Sequence, residues 1–491
     1  MAGPLYIAVD LGAGSGRVFL CGVDPDEMML DEVHRFQYLP EKEDGHLRWN
    51  FELIFEEILT GLAVAATRSK KRGRAIRSIG IDSWAVDYGL LDDDGELIAN
   101  PICYRDGRTK SAMESVFAVV PRSKIFEKTG IQFQPFNTLF QLHSESDIGK
   151  AKRLLLLPDL INYFLTGKAF AEYTNATTTQ MVNAASGDWD LDLLQRLNIP
   201  QRIMPEIVST GTEIGYLRPE LADDLGLQEV RVIAPATHDT GSAIAGAPLR
   251  DGQGYISSGT WSLIGIETDR PVINAEAERL NFTNEGGVYG TFRFLKNVMG
   301  LWIFESCRRE WKAVGTDVEY DTLLAEVSAK KEFKAFIFPD DPRFLNPASM
   351  LDAIADQLAE TGQKFENSPA ELSKIIFDSL AFRYASVVRS IEAVTEKSIL
   401  SIQILGGGGR NGYLNQMTAN ATGLSVQAGL TEATVVGNVL VQAITAGRFS
   451  NISDARDHVR NNFELGSFEP QMLSKVAVRR YAEIEARYGG S

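Results

Sequence analysis

Cysteine and histidine are scarce in this sequence. The three cysteines, Cys21, Cys103 and Cys307, lie far apart in 491 residues and include no CxxC pair. A disulfide framework and a thiolate zinc site are therefore not expected, and the compartment is expected to be reducing. The five histidines never stand four residues apart and never form HExxH, which argues against a metal centre built from histidine.

Positive charge is also in short supply. Lys and Arg total 49 against 65 for Asp and Glu, which gives a formal net charge of −16. Such a field repels phosphate polymers and anionic membrane surfaces, so neither nucleic acid nor membrane is expected as a partner. A small anionic substrate would need local help from a metal ion, an arginine or a helix N-terminus.

Long apolar runs are missing as well. No stretch of about 18 apolar residues occurs, and the first ten residues lack the basic and apolar regions of a secretory signal, so a cytoplasmic location is expected. What is present is the composition of a globular protein, with 44% hydrophobic and 23% charged residues. At 491 residues, two or three domains with a working cleft between them are expected.

The first glycine cluster, residues 12–16, lies between two apolar, β-prone runs at residues 5–10 and 18–23. This pattern predicts a β-hairpin. A Rossmann site would need a helix directly after the glycines, and a Walker A loop would need GK[ST], which the sequence lacks. The hairpin could still bind phosphate through backbone N–H groups, with Asp10 holding hydrated Mg²⁺ and Arg17 holding phosphate. The alternative is a tight hairpin with a turn-capping aspartate.

A second strand, small-residue turn and strand occupies residues 255–266, about half the chain later. This repetition predicts two domains of one design, with a boundary near residues 247–252 and domains at 1–247 and 248–491. Further expectations are a helix from residue 51 capped by Asn50, and a hairpin of strands 86–91 and 96–102. Helices are also expected at 298–311, directly after Asn297, and at 371–395.

Four consecutive glycines, residues 406–409, follow a predicted strand at 401–405 and precede a predicted helix. Ligand-binding loops of α/β sheets occupy this position, and successive glycines let a ligand approach the backbone closely. The alternative is that the glycines simply end the strand.

Asp239 is the candidate general base. It lies with Thr237, His238 and Thr240 at the end of an apolar strand, where a carboxylate can be partly desolvated. A hydrolase triad built on His238 is disfavoured because adjacent residues of an extended chain point apart and no G-x-S-x-G elbow exists. The remaining alternative is that Asp239 caps the helix suggested by residues 242–247.

Ten motifs in order along the chain resemble those of the FGGY family of carbohydrate kinases. They are VDLGAGSGR (9–17), IGIDSWAVD (79–87), YRDGRT (104–109), FNTLFQL (136–142), EYTNATTTQ (172–180), THDT (237–240), SSGTWSL (257–263), TNEGG (283–287), LKNVMGLW (295–302) and LGGGGRN (405–411). The resemblance implies an α/β fold of two ribonuclease-H-like domains of the actin and hexokinase ATPase type. The N-terminal domain would bind sugar and carry the catalytic aspartate, and the C-terminal domain would bind nucleotide.

The resemblance also implies residue roles. The general base is Asp239, and the metal role of Asp10 remains the one expected from the glycine turn. The residues at the sugar are Trp84, Ala85, His238, Thr240 and Asn297, and those at ATP are Ala13, Gly14, Ser15, Gly16, Arg17, Thr260, Glu305 and Gly407. Two positions depart from the family pattern, since Ala85 replaces a glycine and Glu305 a glutamine. The extra methyl would narrow the sugar pocket, and the carboxylate would place negative charge near the nucleotide.

The implied reaction transfers phosphate from ATP to the 1-hydroxyl of L-rhamnulose, with Mg²⁺ as cofactor and a small ketose and ATP as the partners of a monomer or homodimer. Alternatives within the family are kinases of another ketose or polyol, such as L-fuculose or L-xylulose. An actin- or Hsp70-like ATPase and a non-catalytic sugar sensor are alternatives from other classes.

Overall fold

The computed structural model describes residues 3–330 and 333–489 of the 491-residue chain. The strands are β1 (Leu5–Gly12), β2 (Ser15–Val23), β3 (Met28–Gln37), β4 (Glu41–Glu43), β5 (His46–Arg48), β6 (Ile76–Ser83), β7 (Tyr88–Leu91), β8 (Arg153–Leu156), β9 (Ala171–Glu172), β10 (Ile207–Val208), β11 (Glu213–Tyr216), β12 (Arg231–Ile233), β13 (Gln253–Ser258), β14 (Trp261–Thr268), β15 (Thr283–Gly286), β16 (Phe292–Met299), β17 (Ser401–Leu405), β18 (Ser425–Leu430) and β19 (Gly466–Phe468).

The α-helices are α1 (Phe51–Arg72), α2 (Ala112–Val119), α3 (Arg122–Thr129), α4 (Thr138–His143), α5 (Leu157–Thr166), α6 (Tyr173–Ala176), α7 (Leu191–Arg196), α8 (Pro219–Leu225), α9 (Asp239–Gly246), α10 (Ala275–Arg279), α11 (Trp302–Ala313), α12 (Tyr320–Ala329), α13 (Met350–Glu360), α14 (Pro369–Thr395), α15 (Gly412–Thr422), α16 (Ala433–Thr445), α17 (Ile452–Asn462) and α18 (Lys475–Tyr488). Short 3₁₀ helices lie at Gly107–Thr109, Thr177–Thr179, Gln201–Ile203, Val288–Gly290, Pro342–Phe344 and Gly407–Arg410. Across the described ranges, no helix has both the length and the apolar character needed to cross a bilayer.

The chain forms two compact units, each built from three chain segments. The first unit comprises Met1–Pro248, Glu267–Phe294 and Ala433–Phe463, and the second comprises Leu249–Ile266, Leu295–Glu432 and Glu464–Ser491. The units are discontinuous because each one collects segments that contact one another in space but lie far apart in the chain. The division into domains 1–247 and 248–491 stays a prediction.

The sheet of the first unit has the strand order β11-β12-β6-β1-β2-β3. Strand β1 pairs antiparallel with β2 and parallel with β6, and β12 runs parallel to β6. Because strand residues alternate between faces, β1 contributes to two cores. Residues of one face, including Ile7 and Val9, pack with those of α1, whereas Tyr6 and Ala8 pack with α16.

Six strands of the seven-stranded sheet repeat this order, which from the matching edge is β19-β18-β17-β13-β14-β16. Strand β13 pairs antiparallel with β14 and parallel with β17, and β18 runs parallel to β17 and antiparallel to β19. The repetition read from the sequence therefore corresponds to two sheets of the same strand order. The long helix predicted at 371–395 forms as α14, and the strand predicted at 401–405 forms as β17.

The start of helix α1 also agrees with the prediction. Asn50 is its N-cap, and the Asn50 side chain accepts a hydrogen bond from the Leu53 N–H at 3.0 Å. The first glycine cluster forms the predicted hairpin of β1 and β2, with its turn at Ala13 and Gly14.

The predicted hairpin of strands 86–91 and 96–102 is wrong in its second strand. The turn forms, since the Asp92 N–H donates to the Glu96 carbonyl at 3.0 Å, but only isolated bridges occur beyond it, at Leu97 and Ile102. Strand β7 pairs instead with β8, whose apolar Leu154 to Leu156 residues are fully buried. Burial of this distant strand decides the partner, which local turn chemistry does not encode.

The helix predicted at 298–311 begins four residues later. Residues 292–299 form β16, so Asn297 lies in a strand, and α11 starts at Trp302. Val298 and Met299 are buried in the sheet, and Gly300 separates strand from helix. The apolar residues that fitted a helical period therefore belong to two elements.

Candidate active site

Three aspartates lie where parallel strands of the first unit end. Asp10 of β1 is the register partner of Asp82 of β6. The next residue, Ser83, forms a parallel bridge with His238 beyond the end of β12, and the Ser83 N–H donates to the Thr237 carbonyl at 2.9 Å. Carboxyl ends of parallel strands form the ligand-binding edge of α/β sheets, and here that edge carries Asp10, Asp82 and the residue after His238, Asp239.

The β1–β2 turn is held in a fixed shape. The Tyr38 hydroxyl donates to the Gly12 carbonyl at 2.6 Å, and the Tyr38 N–H donates to the Gly14 carbonyl at 3.2 Å. At Gly16 a Cβ would lie 2.3 Å from the Phe36 ring, so only glycine fits. Arg17 forms an ion pair with Asp10, which places a cation at the sheet edge beside the turn.

Asp82 is fully buried beneath this edge and ends a chain of amides. The Asn438 amide donates to Asp82 Oδ2 at 2.6 Å, and the Gln442 amide donates to Asn438 Oδ1 at 2.7 Å. Burial, reinforced by the charge of Asp10, raises the pKa of Asp82 well above its usual value. The described residues offer no hydrogen-bond partner to Asp82 Oδ1.

Asp239 is the first residue of α9. Its Oδ1 accepts hydrogen bonds from the N–H of Thr240 and, at 3.1 Å, from the Thr240 hydroxyl. Burial is the main cause that raises the pKa of Asp239, and the charge of Asp10 raises it further, whereas His238 and Thr240 act in the opposite direction. The side chain keeps 32% of its surface exposed. A reachable carboxylate with a raised pKa has the properties of a general base.

A buried carboxylate holds the loop that carries His238. Glu172 has no exposed surface, and its Oε2 accepts hydrogen bonds from the Thr237 N–H at 3.0 Å and the Thr174 N–H at 3.0 Å. The Thr210 hydroxyl donates to the other oxygen of Glu172. The EYTNATTTQ motif thus fixes the backbone of the THDT motif.

The segment after β6 is strained and firmly held. Val86 has φ +70°, and a β-branched residue in this region costs on the order of 1–3 kcal/mol. Its carbonyl accepts from the Thr138 hydroxyl at 2.8 Å. Asp87 accepts from the indole N–H groups of Trp84 at 2.9 Å and Trp49 at 2.7 Å, and burial raises the pKa of Asp87 to about 6. These contacts fix Trp84 at the sheet edge, with the half-buried Ala85 after it.

The second unit carries two backbone surfaces at the equivalent end of its sheet. In the β13–β14 turn, the exposed Thr260 accepts hydrogen bonds through its carbonyl from the N–H groups of Gly300 and Trp302, at 3.1 and 3.2 Å. In the loop after β17, a Cβ on Gly408 would lie 2.0 Å from Ser258 Oγ, whereas Gly407 is exposed and faces open space. Gly407 is therefore the residue at which a ligand can reach the backbone.

Glu305 lies on α11, one turn from its start. Its carboxylate forms an ion pair with Arg308 at 3.3 Å, and the Arg308 guanidinium lies over the rings of Phe304 and Tyr320. The negative charge that Glu305 adds is thus partly compensated by Arg308.

Two family models match this chain and show the family to which it belongs. The model of the FGGY family of carbohydrate kinases, N-terminal domain, matches residues 5–246, and the C-terminal domain model of the same family matches residues 254–446. The chain belongs to the FGGY family of carbohydrate kinases. The predicted family and the predicted α/β, ribonuclease-H-like fold class are confirmed.

Curated relatives of this FGGY kinase match it over nearly its full length. Rhamnulokinase of Bacteroides thetaiotaomicron is 42% identical over 475 residues, which cover 96% of this chain and 96% of that protein. Rhamnulokinase of Bacillus subtilis is 39% identical over 477 residues, which cover 96% and 97%.

Solved structures share the fold of this FGGY kinase at low identity. A ligand-bound xylulose kinase from Lactobacillus acidophilus superimposes with a TM-score of 0.79 at 17% identity, covering 99% of this chain and 97% of that chain. A glycerol kinase from Plasmodium falciparum with ADP gives a TM-score of 0.77 at 16% identity, covering 99% of both chains.

The predicted site residues of this FGGY kinase fall into two groups. The first unit holds those at its sheet edge, namely Ala13, Gly14, Ser15, Gly16, Arg17, Asp10, Trp84, Ala85, His238, Asp239 and Thr240. The second unit holds Thr260, Asn297, Glu305 and Gly407. Within it, Thr260 contacts the start of the helix that carries Glu305, and Asn297 lies on β16.

Sequence reasoning missed three side chains of the FGGY kinase site. Asp82 carried a usable signal, because AVD at the end of β1 and GID near the end of β6 both place an aspartate after buried strand residues. Glu172 and Arg293 carried none. Their importance depends on contacts with residues 237 and 238, more than 50 positions away.

Proposed function

We propose that this FGGY kinase transfers the γ-phosphoryl group of ATP to the 1-hydroxyl of L-rhamnulose and releases ADP. The observation that carries the proposal is the partly exposed, high-pKa carboxylate of Asp239 at the sheet edge, in a chain 42% identical to a curated rhamnulokinase. The reaction serves L-rhamnose breakdown in the cytoplasm.

Asp239 acts as the general base. It accepts the proton of the 1-hydroxyl as the new O–P bond forms, while the bond from phosphorus to the β-phosphate oxygen breaks. General-base assistance is worth about 10²- to 10⁴-fold in rate. The remaining acceleration comes from positioning and charge stabilisation, which dominate in phosphoryl transfer.

Trp84, Ala85, His238 and Thr240 of the first unit bind the ketose. Asn297, on β16, is assigned to the ketose from the resemblance of its motif to the family. The rigid support of Trp84 by Asp87 favours a pocket of fixed shape. The Ala85 methyl narrows this pocket relative to the glycine of the family pattern.

In the first unit, the backbone of Ala13 to Gly16 and the Arg17 side chain bind nucleotide phosphates. In the second unit, Thr260, Glu305 and Gly407 bind the nucleotide. The exposed backbone at Gly407 and the turn held by Tyr38 support this assignment. Arg17 supplies a positive charge that the overall charge of −16 does not provide.

Asp10 and Asp82 fit a magnesium ion. Mg²⁺ in kinase sites is commonly held by one or two carboxylates together with phosphate oxygens and water. Asp82 Oδ1 is an acceptor without a partner among the described residues, and Asp10 is its register neighbour. In the part of the chain described, no group of three or more His, Cys, Asp or Glu side chains is arranged so that it could hold a metal ion by itself. Bound Mg²⁺ would neutralise charge on the phosphates.

The proposal is tested with a panel of ketoses. ADP release and the site of phosphorylation, read by NMR, are measured with L-rhamnulose, L-fuculose, L-xylulose and no sugar. We expect the highest kcat/KM with L-rhamnulose and phosphate at its C1 oxygen. A higher kcat/KM with another ketose would refute the substrate, and ATP hydrolysis at the same rate without sugar would refute the kinase mechanism.

A further inference from the structure

The TNEGG motif brings two charged side chains to His238. The His238 ring is buried, with Nδ1 3.1 Å from Arg293 Nη2 and 3.4 Å from Glu285 Oε2. Arg293 has no exposed surface, and it also pairs with Glu285 at 3.1 Å and donates to the Gly286 carbonyl at 2.9 Å. All of these residues belong to the first unit.

The chemistry of the guanidinium fixes the role of each ring nitrogen. Arginine has only N–H donors, so a hydrogen bond with Arg293 requires a lone pair on His238 Nδ1. Glu285 Oε2 is farther from Nδ1, at 3.4 Å against 3.1 Å for Arg293 Nη2, and forms an ion pair with Arg293, so we take Arg293 as the partner of Nδ1. A neutral imidazole with an acceptor at Nδ1 carries its proton on Nε2.

The Nε2 side of the His238 ring lies near the carboxylate of Asp239, the proposed base. Nε2 lies 3.4 Å from Asp239 Oδ1, which is longer than a normal hydrogen bond. A sugar oxygen beside Asp239 can therefore accept a hydrogen bond from the Nε2–H group of His238. The same tautomer leaves His238 with no lone pair facing Asp239, so the proton of the substrate hydroxyl goes to Asp239.

We propose that Arg293, neutralised by Glu285, is a positioning residue that holds His238 as the Nε2–H tautomer, so that His238 donates a hydrogen bond to the ketose. The inference rests on the proposed function for the identity of the acceptor. The tautomer itself depends only on contacts within the first unit. Arg293 is too deeply buried to touch the substrate.

The tautomer is measured directly by NMR. Long-range ¹H–¹⁵N correlations of ¹⁵N-histidine-labelled protein, without sugar or nucleotide, distinguish protonated from unprotonated ring nitrogens. The His238 signals are assigned by their loss in His238→Gln. We expect an unprotonated Nδ1 and a protonated Nε2. A proton on Nδ1, or on both nitrogens, would overturn the proposal whatever the sugar substrate is.

Kinetics of Arg293→Met supply the functional arm. Loss of the Arg293 N–H donor should let His238 populate both neutral tautomers. We expect kcat/KM for L-rhamnulose to fall about 10-fold or more, because small displacements at a reacting centre have effects of this size. KM for ATP should stay within about twofold of the wild-type value. Arg74→Met is the matched control, since Arg74 pairs with Asp24 away from the sheet edge and should change neither quantity. Unchanged spectrum and kinetics in Arg293→Met would refute the role. If Arg293→Met does not fold, the kinetics of Glu285→Gln and the wild-type NMR spectrum test the proposal instead.

Discussion

At the scale of single residues, the site depends on carboxylates in different environments. Asp10 is paired with Arg17, Asp82 is buried with one oxygen bonded to Asn438, and Asp239 keeps part of its surface exposed. Burial raises the pKa of both Asp82 and Asp239, but only Asp239 can be reached by a substrate hydroxyl. Chemical type does not distinguish Asp239, the proposed base, from the other two aspartates, but its exposed surface does.

Replacing Asp239 by asparagine removes the proton acceptor. We expect Asp239→Asn to lower kcat on the order of 10²-fold or more, with KM for the ketose little changed, because asparagine keeps the shape of the side chain. Steady-state kinetics with saturating ATP measure this. Asp94→Asn, in the exposed loop after β7, is the control and should behave as wild type. Near-normal kcat in Asp239→Asn would rule out the base.

The raised pKa of Asp239 also sets the sign of the pH dependence. A general base works in its deprotonated form, so kcat/KM should fall as pH drops through the pKa of Asp239. Because burial raises this pKa, the acid limb should lie above the ordinary aspartate value of about 3.9. Because we assign this acid limb to Asp239, it should be absent from the pH profile of the residual activity of Asp239→Asn.

Single residues also show which parts of the candidate site the sequence cannot predict. Asp239 could be proposed as the base from the sequence, because the residues that suggest this role are all local to the THDT motif. Arg293 and Glu172 could not, because an arginine and a glutamate in unrelated motifs acquire a role only when folding brings them to residues 237 and 238. No spacing rule connects such pairs.

At the scale of elements, local signals succeeded where one residue sets the structure. Asn50 capped α1, and the glycines produced the β1–β2 turn. The same signals failed where a strand had to choose a partner, as β7 chose β8, and where one apolar run was divided between β16 and α11. Partner choice follows burial in the whole unit, which a short window cannot contain.

The glycine loop after β17 gives a prediction at this scale. A methyl on Gly408 would overlap Ser258 Oγ, and overpacking of this kind costs about 1–3 kcal/mol. Gly408→Ala should shift the loop, lower Tm and weaken ATP binding several-fold in calorimetry, with sugar binding unchanged. Gly412→Ala, where the added methyl meets open space at the start of α15, is the matched control. Equal ATP affinity in the two variants would contradict this role of the loop.

At the scale of the whole molecule, the charge of −16 opposes an anionic nucleotide but not a neutral sugar. The Debye length falls from about 30 Å at 0.01 M to about 8 Å at 0.15 M salt, so the distant repulsion is screened while close contacts such as Arg17 are less affected. We expect KM for ATP to fall about twofold over this range at constant free Mg²⁺, with KM for the ketose unchanged. A rise in KM for ATP with salt would show that local positive charge dominates the approach.

The repetition of the first two strands was predictable from the sequence at this scale, since two strand, turn and strand patterns stand half a chain apart. The order of the remaining strands was not predicted. The discontinuity of the units was not. Residues 267–294 and 433–463 return to the first unit after the chain has entered the second, and no compositional shift marks either return.

That discontinuity has a consequence for synthesis on the ribosome. Helix α16 covers the face of β1 and β2 that holds Tyr6, Ala8, Phe19 and Cys21, yet it lies almost 190 residues beyond Pro248 in the chain. At about 5–20 residues per second, the first 248 residues emerge and then wait roughly 10–40 s with that apolar face uncovered. The nascent chain therefore needs protection from aggregation until α16 has been translated, and the first unit cannot be produced alone by cutting the gene at residue 248.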